Sequence, residues 1–464
     1  MTRIRKYSPP NSLSQLASAI TLSLILAATP SAFGADSAKL DLPGDGQADV
    51  TEQIQESINS GGGNLQLPRG VHRVTKTLTI NLDEVGPTAI SGNGAATILM
   101  EGEGPAIRFV GTHDGTAAPD SFKRNVWENQ RAPMVDGIEI VGKNPKGNGI
   151  EATGTMQLTV TRCVLRELHH GIHLTNRNRN IIISDCHIYD NSGIGIYYDD
   201  VNLHQSNIVG CHISYNDGGG IVSRGGDVRN VHIGTCDIEG NMGGPGKPAS
   251  ANVDLDSRNG SIAEVAIVGC TIQHDHVSEN SANIRFNGNS TARPFTDETR
   301  HGNLTIADNV LSDVKVNIEV TDARGVSITG NTVWKGFEAN LVVDSSTNVV
   351  VANNVFDRNP RYHYGDGSTS KNGLQFTDCS GVVFNGNLID SVTHNDAAIQ
   401  LLRCKHFNFT SCLILNCKPV AIDIRECERT RIFGCLIERP DDATDDWKAI
   451  QIVDSQGILT DHNE

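Results

Sequence analysis

Six ionisable residues, Asp199, Arg224, Asp254, Asp256, Arg285 and Glu319, fall at two fixed places of a short phrase that recurs through the chain. The phrase alternates aliphatic and polar residues, as in Gly171-Ile172-His173-Leu174, Gly195-Ile196-Tyr197-Tyr198, Asn252-Val253-Asp254-Leu255 and Asn317-Ile318-Glu319-Val320. Residues i and i+2 of a strand share a face, so aligned phrases give two outward columns. The first reads Glu151, His173, Tyr197, Val222, Asp254, Arg285, Glu319, Val342; the second reads Thr153, Thr175, Asp199, Arg224, Asp256, Asn287, Thr321, Asp344. Carboxylates two repeats apart would stand about 9–10 Å from each other, the outer edge of an inverting glycosidase separation. Asp199 with Asp256, and Asp254 with Glu319, meet that spacing. The same charges alternate in sign along each column, which is also what a surface salt-bridge ladder requires.

Other residue types could contact a sugar or a metal. Lys123-Arg124-Asn125-Val126-Trp127 with Arg131, and Asn359-Pro360-Arg361-Tyr362-His363-Tyr364, combine aromatic platforms for sugar faces with arginines for carboxylate or sulfate. Trp127, Arg131, Arg361 and Tyr362 join His173 and Tyr197 as candidate substrate contacts; a lid over coil surface is the competing role. His169, His170, His173, His187, His204 and His212 invite a metal, yet only His173 belongs to an outward column, and a surface ladder explains His187 and His212. No metal ligand set is assigned.

The element that must align these columns is a repeat. A Cys or Asn, any residue, then an aliphatic recurs at Cys163, Cys186, Cys211, Cys236, Cys270, Asn309, Asn331, Asn354, Asn387, Cys412 and Cys435, in units of about 23 residues interrupted by insertions. A unit this short has no room for a crossover helix, so equivalent strands stack in parallel about 4.8 Å apart. The expectation is an all-β chain, a right-handed single-stranded parallel β-helix. Leucine-rich and ankyrin frames do not fit the Gly- and Asn-punctuated segments. Insertions at 200–206, 241–251, 274–282 and 288–302 would wall a groove over the charged columns.

The cysteines follow from stacking. Amides can hydrogen-bond to amides above and below, while thiols pack on thiols as small hydrophobes, so Asn and Cys should occur in blocks. Buried free thiols are expected rather than a disulfide framework or a thiolate metal site. Cys379, Cys404 and Cys427 share a second position.

Residues 44–80 carry Gly44-Asp45-Gly46, Asp49-Val50-Thr51, a helix-like run over 52–58, Gly61-Gly62-Gly63 and Leu67-Pro68-Arg69-Gly70. This resembles the opening segment of the pectate lyase-like superfamily. Asp49 or Thr51 can cap the short helix, and Ile54 and Ile58 would plug the first coil. The superfamily includes pectate lyases, polygalacturonases, alginate epimerases and noncatalytic relatives. Polygalacturonase motifs are replaced here by His169-His170-Gly171, Asn191-Ser192-Gly193 and Asn216-Asp217-Gly218, and the Asp-Pro-His motif of alginate epimerases is absent. The resemblance to pectate lyases implies Arg224 or Arg285 as a base beside a uronate carboxyl, with Asp199, Asp254 and Asp256 holding Ca²⁺.

Residues 1–34 read as a secretory signal, with Arg3, Arg5 and Lys6, an apolar run from Leu16 to Ala28, and Ala32-Phe33-Gly34. The β-helix domain would occupy 35–464, with a cap and irregular first coils over 35–135 and regular coils over 136–464. The formal charge of −16 becomes −19 without the leader, which disfavours nucleic acid. The leader's apolar run is too short to span a bilayer, and no later stretch approaches about 18 consecutive apolar residues. These features predict an exported, periplasmic or extracellular, carbohydrate-active protein: a polysaccharide lyase or glycoside hydrolase with an acidic polysaccharide as its partner. The alternative is a noncatalytic glycan-binding or cell-surface module. With five Met and no outward soft-donor cluster, a copper maturation role is weakly supported.

Overall fold

In the computed structural model, residues 40–60, 63–115, 117–118, 120–290, 296–359, 361 and 365–464 are described. The expected leader, residues 1–34, and Tyr362 lie outside the described residues. Among the described residues 38 strands form one continuous parallel sheet that winds as a right-handed β-helix, each coil pairing with the next. Each regular coil has three straight runs. Face A is a three-residue strand such as Val164–Arg166, His187–Tyr189 or His212–Ser214. Faces B and C are the two halves of bent strands such as Ile172–Ser184, Ile194–Val209 and Gly219–Gly234. Later coils separate them, as in Val314–Thr321 and Arg324–Thr329.

Alternating burial along many strands places one aliphatic set inside, from Ile98 and Ile140 through Ile318 to Ile424. The helix Thr51–Asn59 closes the first coil with Ile54 and Ile58, both buried. Its N-cap is Val50; Asp49 Oδ1 accepts the Thr51 N–H at 3.0 Å from one position earlier.

All eleven cysteines are free and buried. The Asn block between the two thiol blocks forms a ladder: Asn309 Nδ2 donates to Asn331 Oδ1 (3.0 Å), Asn331 to Asn354 (2.9 Å) and Asn354 to Asn387 (3.0 Å). At the junction, Asn309 Oδ1 accepts the Cys270 N–H at 2.9 Å. A second buried amide ladder runs Asn191, Asn216, Asn241, Asn252, Asn283, Asn317 and Asn340, with links of 2.6–2.9 Å. It enters at a turn and continues at the start of face B. Gly220 lies alongside it, where a Cβ would come within 2.5 Å of Asn252 O and 3.0 Å of Asn241. Only glycine fits that approach.

One expected insertion is corrected. Residues 200–206 lie inside the strand Ile194–Val209, which bends at Asp200 and Gln205 through positive φ rather than looping out. The segments 241–250 and 274–281 lead into face B, and residues 288–290 and 296–301 flank its exit, with an Asn289–Arg300 bridge.

Candidate functional site

The register joins Glu151, His173, Tyr197, Val222, Asp254, Arg285, Glu319 and Val342 as direct neighbours in consecutive coils. Thr153, Thr175, Asp199, Arg224, Asp256, Asn287, Thr321 and Asp344 are joined in the same way. Both columns are therefore real, and both lie on face B.

Their charges are tied to one another. Arg108 Nε lies 2.7 Å from Glu151 Oε1. His173 stands between two carboxylates, Nδ1 3.5 Å from Glu151 and Nε2 2.9 Å from Asp199. Arg224 crosses between columns to Asp254 Oδ2 at 2.6 Å. Arg285 lies 3.9 Å from the same oxygen and 2.7 Å from Glu319. Asp256 is held by Arg258, two residues along its own strand, with Nη2 at 2.6 Å and Nε at 2.9 Å.

Asp254 and Asp256 are buried, at 4% and 5% exposure. Neither expected carboxylate pair, Asp199 with Asp256 or Asp254 with Glu319, thus presents two open acids. The Ca²⁺ assignment meets the same obstacle: two of its three carboxylates already face guanidinium groups, so this donor set does not fit the ion.

Around His173 the chemistry is richer. Its ring stacks on Tyr197, with centroids 5.4 Å apart and planes at 6°. His170 lies 5.3 Å from His173 and 5.2 Å from Tyr197. Burial opposes protonation of His173, but the carboxylates of Glu151 and Asp199 outweigh it and raise its pKa above the ordinary value. Glu151 is held below the usual range, first by its hydrogen bond from His173 and then by Arg108. Burial, with the neighbouring His169 and His173, pushes His170 down to about 3. Its Nδ1 accepts the Ile194 N–H at 2.9 Å. Burial and the charge of Asp199 push Tyr197 up to about 12. Near neutral pH His170 is a neutral imidazole and Tyr197 a phenol, and they share one face with His173, whose protonated form its two carboxylates favour.

The remaining candidates lie elsewhere. Trp127 stacks on Phe122 with centroids 5.1 Å apart, and the Arg131 guanidinium sits 4.4 Å over its ring. That group precedes Ala132, at one end of a 750 Å³ groove on face C that residue patterning did not single out. Arg361 is exposed in the connection leading to the face B strand Leu374–Thr377, two coils beyond Glu319.

Residues 127–262 match the family model described as the right handed beta helix region, and residues 250–445 match that of the periplasmic copper-binding protein NosD. Tailspike protein 3 of bacteriophage CBA120 has a similar structure, with TM-score 0.55 and 15% identity over 90% of this chain and 59% of that one. This chain folds as a right-handed parallel β-helix. Pre-mature gene product 12 of bacteriophage phi29 is also similar, with TM-score 0.51 and 13% identity over 91% of this chain and 56% of that one. The β-helix thus spans less than two thirds of either phage chain. The mannuronan C-5 epimerase AlgE4 A-module of Azotobacter vinelandii aligns over 92% of this chain and 98% of its own at 12% identity, with TM-score 0.41. No curated protein matches the sequence.

Residues 250–445 contain no Met, and their seven cysteines are buried. Among the described residues no group of three His, Cys, Asp or Glu side chains is gathered for a metal. These donors do not fit a copper site. No helix among the described residues is long and apolar enough to cross a membrane.

Proposed function

We propose that this protein is an exported, noncatalytic glycan-binding β-helix that holds an acidic polysaccharide along face B of its central coils. One observation carries the reading. In three ion pairs the arginine is the outer partner and the carboxylate the inner one: Arg108 over Glu151 (side-chain exposures 38% and 15%), Arg224 over Asp254 (39% and 5%), and Arg258 over Asp256 (66% and 6%). An approaching polymer therefore meets guanidinium groups, which accept a carboxylate or sulfate in bidentate fashion. The His173–Tyr197 ring pair supplies an apolar platform beside them. The inner acids are committed to holding the arginines, which favours binding over turnover.

Polygalacturonate, alginate and sulfated glycans should bind with affinity that falls as salt rises, and release no reducing ends or unsaturated products with or without Ca²⁺. Arg224→Ala should weaken binding about tenfold, the loss of one charge-assisted contact. Undiminished binding in Arg224→Ala and Arg258→Ala together would remove the proposal.

A second reading, a polysaccharide lyase or glycoside hydrolase, is favoured by the Tyr197–His173–Asp199 arrangement, where a phenol, an imidazole and a carboxylate lie together. It requires product formation that is lost in Tyr197→Phe or His173→Gln while binding persists.

A further inference from the structure

The groove on face C differs in chemistry from face B. Its floor spans four consecutive coils, with Thr159, Ile182, Asn207 and His232 as successive outward neighbours. Gln157, Asn180, Gln205 and Asn230 form its margin, each at the bend into face C with φ between 56° and 69°. The left-handed backbone at these bends, which Asn tolerates well, brings two Asn and two Gln side chains to one edge. No Asp, Glu, Lys or Arg lines the groove. Gln157, Gln205, Asn207 and His232 make no side-chain hydrogen bond to other described residues. Ile182, 42% exposed, interrupts this polar floor.

We infer that this groove is a second glycan site, taking a short run of uncharged sugar residues, and that it is independent of the reading of face B. Each amide offers a donor and an acceptor side by side, which suits adjacent hydroxyl groups. Ile182 offers an apolar contact for the C–H face of a ring. With no carboxylate, ammonium or guanidinium in the lining, an acidic sugar would lose water and gain no fixed counter-ion, so the groove selects neutral units. A run of four coils at about 4.8 Å spacing gives a floor about 14 Å long, enough for several rings.

The test is calorimetric titration of the full chain with cellohexaose, maltohexaose, mannohexaose and xylohexaose, with polygalacturonate titrated in parallel. At least one neutral hexaose should bind, with an affinity unchanged between about 0.05 and about 0.5 M NaCl. The double variant Asn207→Ala/His232→Ala should lose at least tenfold. Asn207→Arg, which lays a long side chain across the floor, should abolish binding. Tyr197→Ala and Arg224→Ala, on face B, should leave neutral binding intact. The inference is overturned if no neutral hexaose binds, if binding survives both face C changes, or if it disappears in the face B variants. The polygalacturonate titration reports separately on face B, so either reading can fail alone.

Discussion

Faces B and C of the same coils share a backbone and a spacing, yet face B is a lattice of paired charges while face C is a row of uncharged amides with unused hydrogen-bonding capacity. Stacking makes every side chain the near neighbour of its equivalents above and below. Charges can share such a column only by alternating or by reaching sideways, as Asp254, Arg285 and Glu319 alternate and Arg224 crosses to Asp254. Amides repeat without penalty, so Asn180, Gln205 and Asn230 can follow one another and present one surface. The charged face stabilises the coils through its internal pairs; the neutral face leaves its groups available to a ligand.

The largest test of this contrast is Asp254→Ala. It leaves Arg224 and Arg285 without their shared buried counter-ion, and removing one partner of a buried pair costs about 3–5 kcal/mol. Because the Arg224 side chain is 39% exposed, solvent screening reduces the expected loss to about 2–3 kcal/mol. The urea unfolding midpoint measures it, and an unchanged midpoint would make the face B ladder ornamental.

A smaller effect comes from pH. The folded pKa of His170 is depressed to about 3, and that of His113 to about 4 by burial and by Arg177 and Arg179. For both, the stability is present above the unfolded value near 6.5 and is lost as pH falls below it, by roughly 1 kcal/mol per imidazole between pH 6.5 and about 5.5. His173 has the opposite sign: its raised pKa contributes fully below the unfolded value and is lost as pH rises through the folded one. His170→Gln should therefore flatten the acid limb of a stability–pH curve, and His173→Gln should remove a loss of stability as pH rises above about 6.5. The reverse assignment would contradict the charge states given to face B.

The smallest effect on stability belongs to face C. Asn207→Ala and His232→Ala are outward and unpaired, and each should shift stability by no more than about 0.5 kcal/mol. A larger loss in thermal unfolding would mean that these side chains support the fold rather than face a ligand.

Much of the fold is legible in the residues. The phrase ending at Glu319 aligns with those at His173 and Asp254 because strand alternation and the short unit leave one stacking register. Ile54 and Ile58 reveal the cap by their helical spacing, and the Asn309–Asn387 block reveals its ladder by its uniform composition. The burial of Asp254 and Asp256 is not legible, since it depends on long side chains: Arg224 reaches diagonally to the next coil, and Arg258 folds back over its own strand. The insertion expected at 200–206 fails because a positive-φ bend and a loop have the same polar composition. The second amide ladder is split by phrase alignment, for Asn241 sits in a turn and Asn252 at a strand start. The face C groove is hidden because outward amides at bends look like ordinary turn residues.

The contact between Asn309 and Cys270 has a wider meaning for how such a rod can change. Where one run of side chains hands over to another, the last amide oxygen still receives a backbone proton, so the seam leaves no orphaned group. Whole turns can then be duplicated or excised within a run while the cross-section is conserved, and the length of the rod is free to drift independently of what its flanks recognise.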